Sequence, residues 1–262
     1  WTAAPKSRDF DVTMTNDALE THAVASVRVL AAPRPPGGRV LRAGSRYFQV
    51  TDFRAPKSRG ATDDVAGLLA ASDGREYKSP ASATNLAEKE TLDVTFASPG
   101  GRVGLLVVDR NSLLNTFLFY QAIAFMGSKY GDWMAALERE GKAAFAAPGG
   151  LLGDIDVSVK DASGAFVKAG SVGEVGPIAR EAELVPLPPL PAGDVTVRLT
   201  MTKGNWRIDQ LALVRVGAEV VPVALDPTSV TRKGEPDPHA LAALLDPKEH
   251  FVTHPGDAYV IR

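Results

Sequence analysis

The sequence predicts a mainly β chain: an antiparallel β-sandwich of jelly-roll type carrying a helical insertion. Three observations lead there. Short runs in which apolar and polar residues alternate recur along most of the 262 residues, the period of two that marks a half-buried strand. Clusters of glycine and proline separate those runs as turns do. One stretch, 111–147, abandons the alternation and reads as helix.

Along the first third, Phe10, Val12 and Met14 alternate with Asp11, Thr13 and Thr15, and Ala23 to Leu30 is strand-like around Val24, Val27 and Val29. A turn cluster, Pro33 to Gly38, follows. Val40-Leu41 and Tyr47–Val50 then flank Gly44-Ser45-Arg46, which predicts a hairpin. Thr62 or Asp63 would cap a short helix through Asp64, Val65, Leu68 and Leu69. Leu92, Val94 and Phe96 alternate, and Pro99-Gly100-Gly101 turns the chain into the apolar run Val103–Val108, which predicts a second hairpin with a buried strand.

Asn111 to Ser128 contains no charged residue, and its apolar side chains fall on every side of a helical wheel. Such a helix is deeply buried or lies against lipid or a partner. Its length is marginal for spanning about 30 Å of hydrocarbon, and Asn115 and Gln121 weigh further against a span. The reading that fits best is a buried helix, with a partner-docking helix presenting Phe117, Tyr120 and Phe125 as the alternative. Gly127 and Gly131 end it, and Asp132 caps a second, amphipathic helix through Trp133, Met134, Leu137 and Phe145.

After Pro148-Gly149-Gly150 the strands resume. Ile155, Val157 and Val159 alternate, Asp161–Gly164 turns, and Phe166-Val167 returns. Prolines at 186, 188, 189 and 191 make a stiff bridge. Val195, Val197, Leu199 and Met201 alternate before Lys203-Gly204-Asn205, with Trp206, Ile208, Leu211, Leu213 and Val216 as the partner strand. The end is Pro- and Asp-rich, with one short helix, Pro238 to Leu245, capped by Asp237. The expected organisation is a sandwich-like part over 1–90, a jelly-roll-like part over 91–216 with its insertion at 111–147, and an extended tail over 217–262. One fused domain is the alternative.

The formal net charge is -2 and the pI about 6.1, with no Lys/Arg-rich cluster, so no nucleic-acid partner is expected. The absence of cysteine removes disulfides, thiolate catalysis and Cys-ligated zinc. The chain opens at Trp1 without an apolar signal core and closes in a strand-like Tyr259–Arg262, which reads as a piece of a longer polypeptide or as an ordinary boundary.

His250 and His254 have the spacing of two ligands on a helix, but Val252-Thr253 between them and Pro255 after them favour loop histidines. No G-x-S-x-G elbow occurs, the glycine loop 170–176 lacks a phosphate-binding lysine, and no D-x-D-x-D-G loop suggests calcium. The paired carboxylates Asp154 with Asp156 and Glu88 with Glu90 read as solvated faces. Hence no catalytic residue, no metal and no cofactor is expected, and the chain is not expected to be an enzyme. Trp206, with Asn205 and Asp209, is the one candidate sugar platform. The competing reading makes Trp206 core and sets Asp209 to bonding backbone amides of a neighbouring loop.

The run Gly193-Asp194-Val195-Thr196-Val197-Arg198-Leu199, followed by Gly204-Asn205-Trp206-Arg207-Ile208-Asp209-Gln210-Leu211, resembles the closing hairpin of galactose-binding-like jelly rolls, including many carbohydrate-binding modules. Residues 10–216, through the runs Asn16–His22 and Trp206–Asp209, resemble β-rich C-terminal regions of bacterial extracytoplasmic proteins that carry tetratricopeptide or FG-GAP repeats elsewhere. The resemblance implies an extracytoplasmic location, in the periplasm or at the cell surface. Two functions follow as expectations. One is a non-catalytic binding or assembly module of a larger envelope or surface protein, its partner a protein or the rest of a longer chain. The other is a carbohydrate-binding module or accessory domain of a glycan-active enzyme.

Overall fold

The computed structural model describes residues 9–57, 64–140 and 153–262. It is mainly β, with 47% strand against 17% helix. Numbered along the chain, the first strands are β1 (Val12–Thr15), β2 (His22–Val24), β3 (Val29–Ala31), β4 (Arg39–Ala43), β5 (Arg46–Arg54) and β6 (Tyr77–Lys78). The middle strands are β7 (Lys89–Gly101), β8 (Val103–Asn111), β9 (Ile155–Lys160), β10 (Phe166–Val172), β11 (Glu181–Pro186), β12 (Leu190–Thr202) and β13 (Trp206–Val220). The last are β14 (Val223–Leu225), β15 (Val230–Arg232), β16 (Glu235–Pro236), β17 (Phe251–Thr253) and β18 (Ala258–Ile261). The described helices are α1 (Asp64–Leu68), α2 (Leu113–Met126), α3 (Tyr130–Glu140) and α4 (Pro238–Leu245). The expected cap positions Thr62 and Asp63, and Phe145 of the second helix, lie outside the described residues.

The chain forms two compact units. One joins the described residues up to Pro33 with Val221–Arg262, and the other is Arg34–Val220. These borders differ from the expected divisions at 90 and 216, and the last segment is not an extended tail. Its β18 pairs with β1, Val12 opposite Ile261, and with β15, in a sheet ordered β1-β18-β15-β16. Two further ribbons, β3 with β14 and β2 with β17, tie the ends of the chain together. Val230, Leu244, Phe251, Tyr259 and Ile261 fill the core of this unit. Phe251 meets Tyr259 edge-to-face at 4.7 Å. The Asp237 cap is as the sequence predicts, its carboxylate accepting from the Ala240 N–H at 2.9 Å.

In the second unit the hairpins expected at 44–46 and 161–164 form, as β4–β5 and β9–β10. The pairings expected at 91–108 and 194–216 do not. The chain turns at 102 and at 203–205, but each turn crosses from one sheet to another. β7 pairs with β12 over its whole length, from Lys89 opposite Thr202 to Gly101 opposite Leu190. β8 pairs with β13, from Trp206 opposite Asn111 to Arg215 opposite Val103. The resulting four-stranded sheet is ordered β10-β9-β12-β7. The other sheet runs β5-β4-β11-β8-β13 and closes through β5–β13 into a five-stranded barrel.

Side-chain alternation explains this arrangement. Val103, Leu105 and Val107 of β8 and Leu211 and Leu213 of β13 point to the four-stranded sheet, meeting Phe96, Val157, Val197 and Leu199. Their neighbours Leu106, Val108, Ala212, Val214 and Val216 point into the barrel, meeting Leu41, Phe48, Val50 and Leu184. A strand buried on both faces reads as a continuous apolar run, whereas β7 and β12, with one face inside, alternate. The barrel is narrow: a Cβ at Gly104 would sit 2.6 Å from Leu184 Cδ1.

Adjacent residues of β8 should therefore be equally sensitive. Leu105→Ala and Leu106→Ala are each expected to cost about 2–5 kcal/mol in urea unfolding. A strand with one solvated face would show the loss at only one of the two.

Candidate functional site

β8 leaves the core at Asp109-Arg110-Asn111, and α2 springs from that end. Ser112, which is buried, caps the helix: its Oγ accepts from the Leu114 N–H at 3.1 Å and donates to the Gly204 carbonyl at 2.6 Å. The Ser112 N–H donates to the Asn205 carbonyl at 2.8 Å. Asn111 Oδ1 accepts from the Val175 and Gly176 N–H groups at 2.9 and 2.8 Å, fastening the glycine loop beside it. Asn205 Nδ2 donates to Glu174 at 3.1 Å, and the Gly204 N–H donates to Ser79 Oγ at 2.9 Å. Gly204 holds φ +77, and a Cβ there would stand 3.0 Å from Ala81 and Leu114. The root of the helix is thus clamped by buried polar groups, each bond worth about 1 kcal/mol net but costly to leave unmade.

Above that root, the expected burial of 113–126 is not found: none of its residues is buried. Leu113 is 73% exposed, Phe117 57%, Tyr120 63% and Phe125 96%, so these apolar side chains face solvent, while Leu114, Leu118, Phe119 and Ile123 are half-buried. Among the described residues no strand lies extensively along the helix. A 3-10 turn, Gly127–Lys129, leads into α3, and Phe119 meets Trp133 at 6.4 Å between ring centroids. The physical reason is geometric. The clamp of Ser112 and Asn111 fixes where the helix starts, and both faces of β8 are already filled by barrel and sheet, leaving no core for α2 to enter. Among the described residues no helix is long and apolar enough to cross a membrane.

The three residues named for a sugar platform are brought close but sealed. Trp206, Asn205 and Asp209 are each 0% exposed. Trp206 packs in the core with Leu199 and Ile208, so no ring face is open to a pyranose. Asp209 sits at a bulge between Ile208 and Gln210. Its carboxylate accepts from Ser72 Oγ at 2.6 Å, the Gly74 N–H at 2.9 Å and Arg180 Nη1 at 3.4 Å, the loop-bonding role the alternative reading gave it. Arg180 also reaches Glu76 at 3.1 Å, and Arg110 binds both Glu76 oxygens at 2.7 Å. The Arg110 guanidinium holds the Glu76 carboxyl below its ordinary range. Two carboxylates and two guanidiniums balance, as partly buried charges must.

One carboxylate has no such balance, and sequence patterning passed over it. Asp109 is 0% exposed, and neither oxygen has a hydrogen-bond partner among the described residues. Burial, then the negative charges of Glu183 and Glu181, push it from 3.8 up to about 8. Arg42 is engaged by Glu181 and Glu183 instead. The only trace in the sequence is an Asp closing an apolar run.

Both histidines of the spaced pair are exposed and flank β17, whose extended backbone separates them. Among the described residues no group of three His, Cys, Asp or Glu side chains could hold a metal. In the first unit an open cleft of about 340 Å³ is floored by Val12, Val29, Leu225 and Ile261. Arg28 at its rim is paired with Asp226 at 2.7 Å. No family model matches the chain, and no curated protein does.

Folded Asp109 keeps its proton to about pH 8, while the unfolded chain releases it near 3.8. Between those values the folded state binds more protons, so stability falls as pH rises, by up to about 1.4 kcal/mol per pH unit, and levels off above. Asp109→Asn should flatten that decline and raise the melting temperature at pH 8. Thermal melts across the neutral range check it; parallel profiles for the two proteins would contradict the assignment.

Proposed function

We propose that this chain is a non-catalytic binding or assembly module of a larger bacterial cell-envelope or surface protein, acting outside the cytoplasm. One observation carries the reading: α2, apolar on its exposed face, is held clear of the core by a rigid polar root. An exposed apolar surface of this kind marks an interaction site. A helix so presented binds by laying side chains at helical spacing against a partner protein, with little ordering to be done because its root is fixed. The likeness to galactose-binding-like domains supports a sandwich origin for the four-stranded sheet and the barrel wall packed on it. It supports no glycan role here, because the sugar candidate Trp206 is enclosed.

Two experiments test this. The variant Phe117→Ser, Tyr120→Ser, Phe125→Ser should keep the wild-type melting temperature, since it removes exposed side chains. A photo-crosslinking phenylalanine analogue at Phe125 should form a protein adduct in the producing cell, and the same analogue at exposed Val167 should form none. Absence of any adduct at 125 would count against docking. Separately, Trp206→Ala should cost about 3–5 kcal/mol, as loss of a core aromatic does. On a glycan array neither protein should bind; micromolar glycan binding lost in a stably folded Trp206→Ala would reinstate the sugar reading.

A further inference from the structure

The first unit is assembled from two segments far apart in the chain, one ending at Pro33 and the other running Val221–Arg262, with the whole second unit, residues 34–220, between them. Neither segment completes the fold alone: β18 pairs with β1, β17 with β2 and β14 with β3, each pair joining one segment to the other. The core these pairings close is small. Among the described residues it holds Val230, Ala240, Leu244, Phe251, Tyr259 and Ile261. A unit of roughly 75 residues with so few buried side chains is marginally stable.

The second unit is built differently. Its chain is continuous, and it has two cores, one on either side of β8 and β13. Its ends are also held near each other. Val50 of β5 lies opposite Arg39 of β4 on one side and Val216 of β13 on the other, so about 10 Å separates residues close to the entry and the exit of this unit. In the first unit the chain leaves and returns at one place too, since Ala31 stands directly opposite Val223 in the β3–β14 ribbon.

We infer that the folded second unit is the clasp of the first: by holding the two segments together it lets the first unit fold, so the first keeps its fold only while the second is folded, whereas the second does not need the first. The probability that the two ends of a disordered chain meet falls as about the three-halves power of its length. Unfolding the second unit replaces the clasp by a coil of roughly 190 residues, which lowers the folding constant of the first unit by a few hundredfold. A core of this size does not withstand that loss. The device has a direction. Opening the second unit releases both segments of the first, while loss of the first leaves the two cores of the second, and the clamped root of α2, in place.

Urea titration of the full chain, with pulsed hydrogen exchange read by mass spectrometry, follows β8 and β18 separately. At every urea concentration the fraction of molecules with β18 protected should be no larger than the fraction with β8 protected. Leu105→Ala, or the milder Val107→Ala if the first does not fold, should lower the β8 midpoint and leave no β18 protection beyond it. Leu244→Ala should lower the β18 midpoint and leave β8 protected. Because the chain has no cysteine, a single cross-link can replace the clasp. Oxidised Ala31→Cys with Val223→Cys, in the Leu105→Ala or Val107→Ala background, should keep β18 protected at urea concentrations where β8 has lost its protection, and reduction should abolish that difference. β18 outlasting β8 in the cysteine-free chain overturns the proposal. So does loss of β8 protection together with β18 in Leu244→Ala, which would make the two units one cooperative body, and so does a cross-link that leaves β18 falling with β8.

Discussion

The second unit depends on one constraint: the strands β8 and β13 are buried on both faces. Leu105 and Leu106 are neighbours in the chain, yet one belongs to the core under the four-stranded sheet and the other to the barrel interior. Two hydrophobic cores share one wall. Each strand must then be apolar at consecutive positions, and Gly104 must lack a side chain where the narrow barrel brings Leu184 closest. The same wall dictates where polarity can reappear, which is at its end, where β8 and β13 leave both cores together.

That end concentrates the buried polar groups of the unit. Glu76, Arg110, Arg180 and Asp209 sort themselves into a neutral set whose charges each have a partner. Asn111, Ser112 and Asn205 satisfy backbone groups of the helix root and the glycine loop. Asp109 stands one residue inside this belt, with Glu181 opposite it on β11 rather than a cation. Placed there, it stays protonated through neutral pH at a cost to stability that the neighbouring ion pairs do not share. Buried polar networks hold geometry where they are complete; here Asn111 Nδ2 and Asn205 Oδ1, like both Asp109 oxygens, lack a hydrogen-bond partner among the described residues.

Much of the fold was legible because periodicity is a local signal. The alternation of Val195, Val197 and Leu199, the unbroken Val103–Val108, the tight turn at Gly44-Ser45 and the Asp237 cap all record the surroundings of single residues. What was not legible is pairing over long distance. Pro99-Gly101 and Lys203-Asn205 carry turn chemistry equally suited to a hairpin or to a crossing between sheets, and only the tertiary partner decides. Likewise nothing near Val12 announces Ile261. The reading of α2 failed for a related reason. Apolarity on all sides shows that a helix wants cover, not where the cover comes from. The sugar candidates failed because an aromatic beside Asn and Asp looks alike on a surface and in a core; the strict alternation of Trp206 with Ile208 was the available clue to burial.

The doubly buried wall and the root of α2 meet at Ser112. As a cap it satisfies the first turn of α2, and as a donor to Gly204 it fastens that turn to the joint between β12 and β13. The joint is closely packed: a Cβ at Gly204 would stand only 3.0 Å from Ala81 and Leu114, so only glycine fits there. The apolar helix is consequently fixed in direction by the element that also ends the double-buried wall. An apolar segment on a flexible tether would fold back onto the nearest hydrophobic surface, since burial of a large side chain is worth about 1.5–3 kcal/mol. Here both nearby cores are closed, by Phe96 and Leu199 on one side and by Phe48 and Leu41 on the other. The wall that makes the fold stable is therefore also what keeps α2 outside it, with Leu113, Phe117, Tyr120 and Phe125 left exposed to a surface that this chain's own core does not supply.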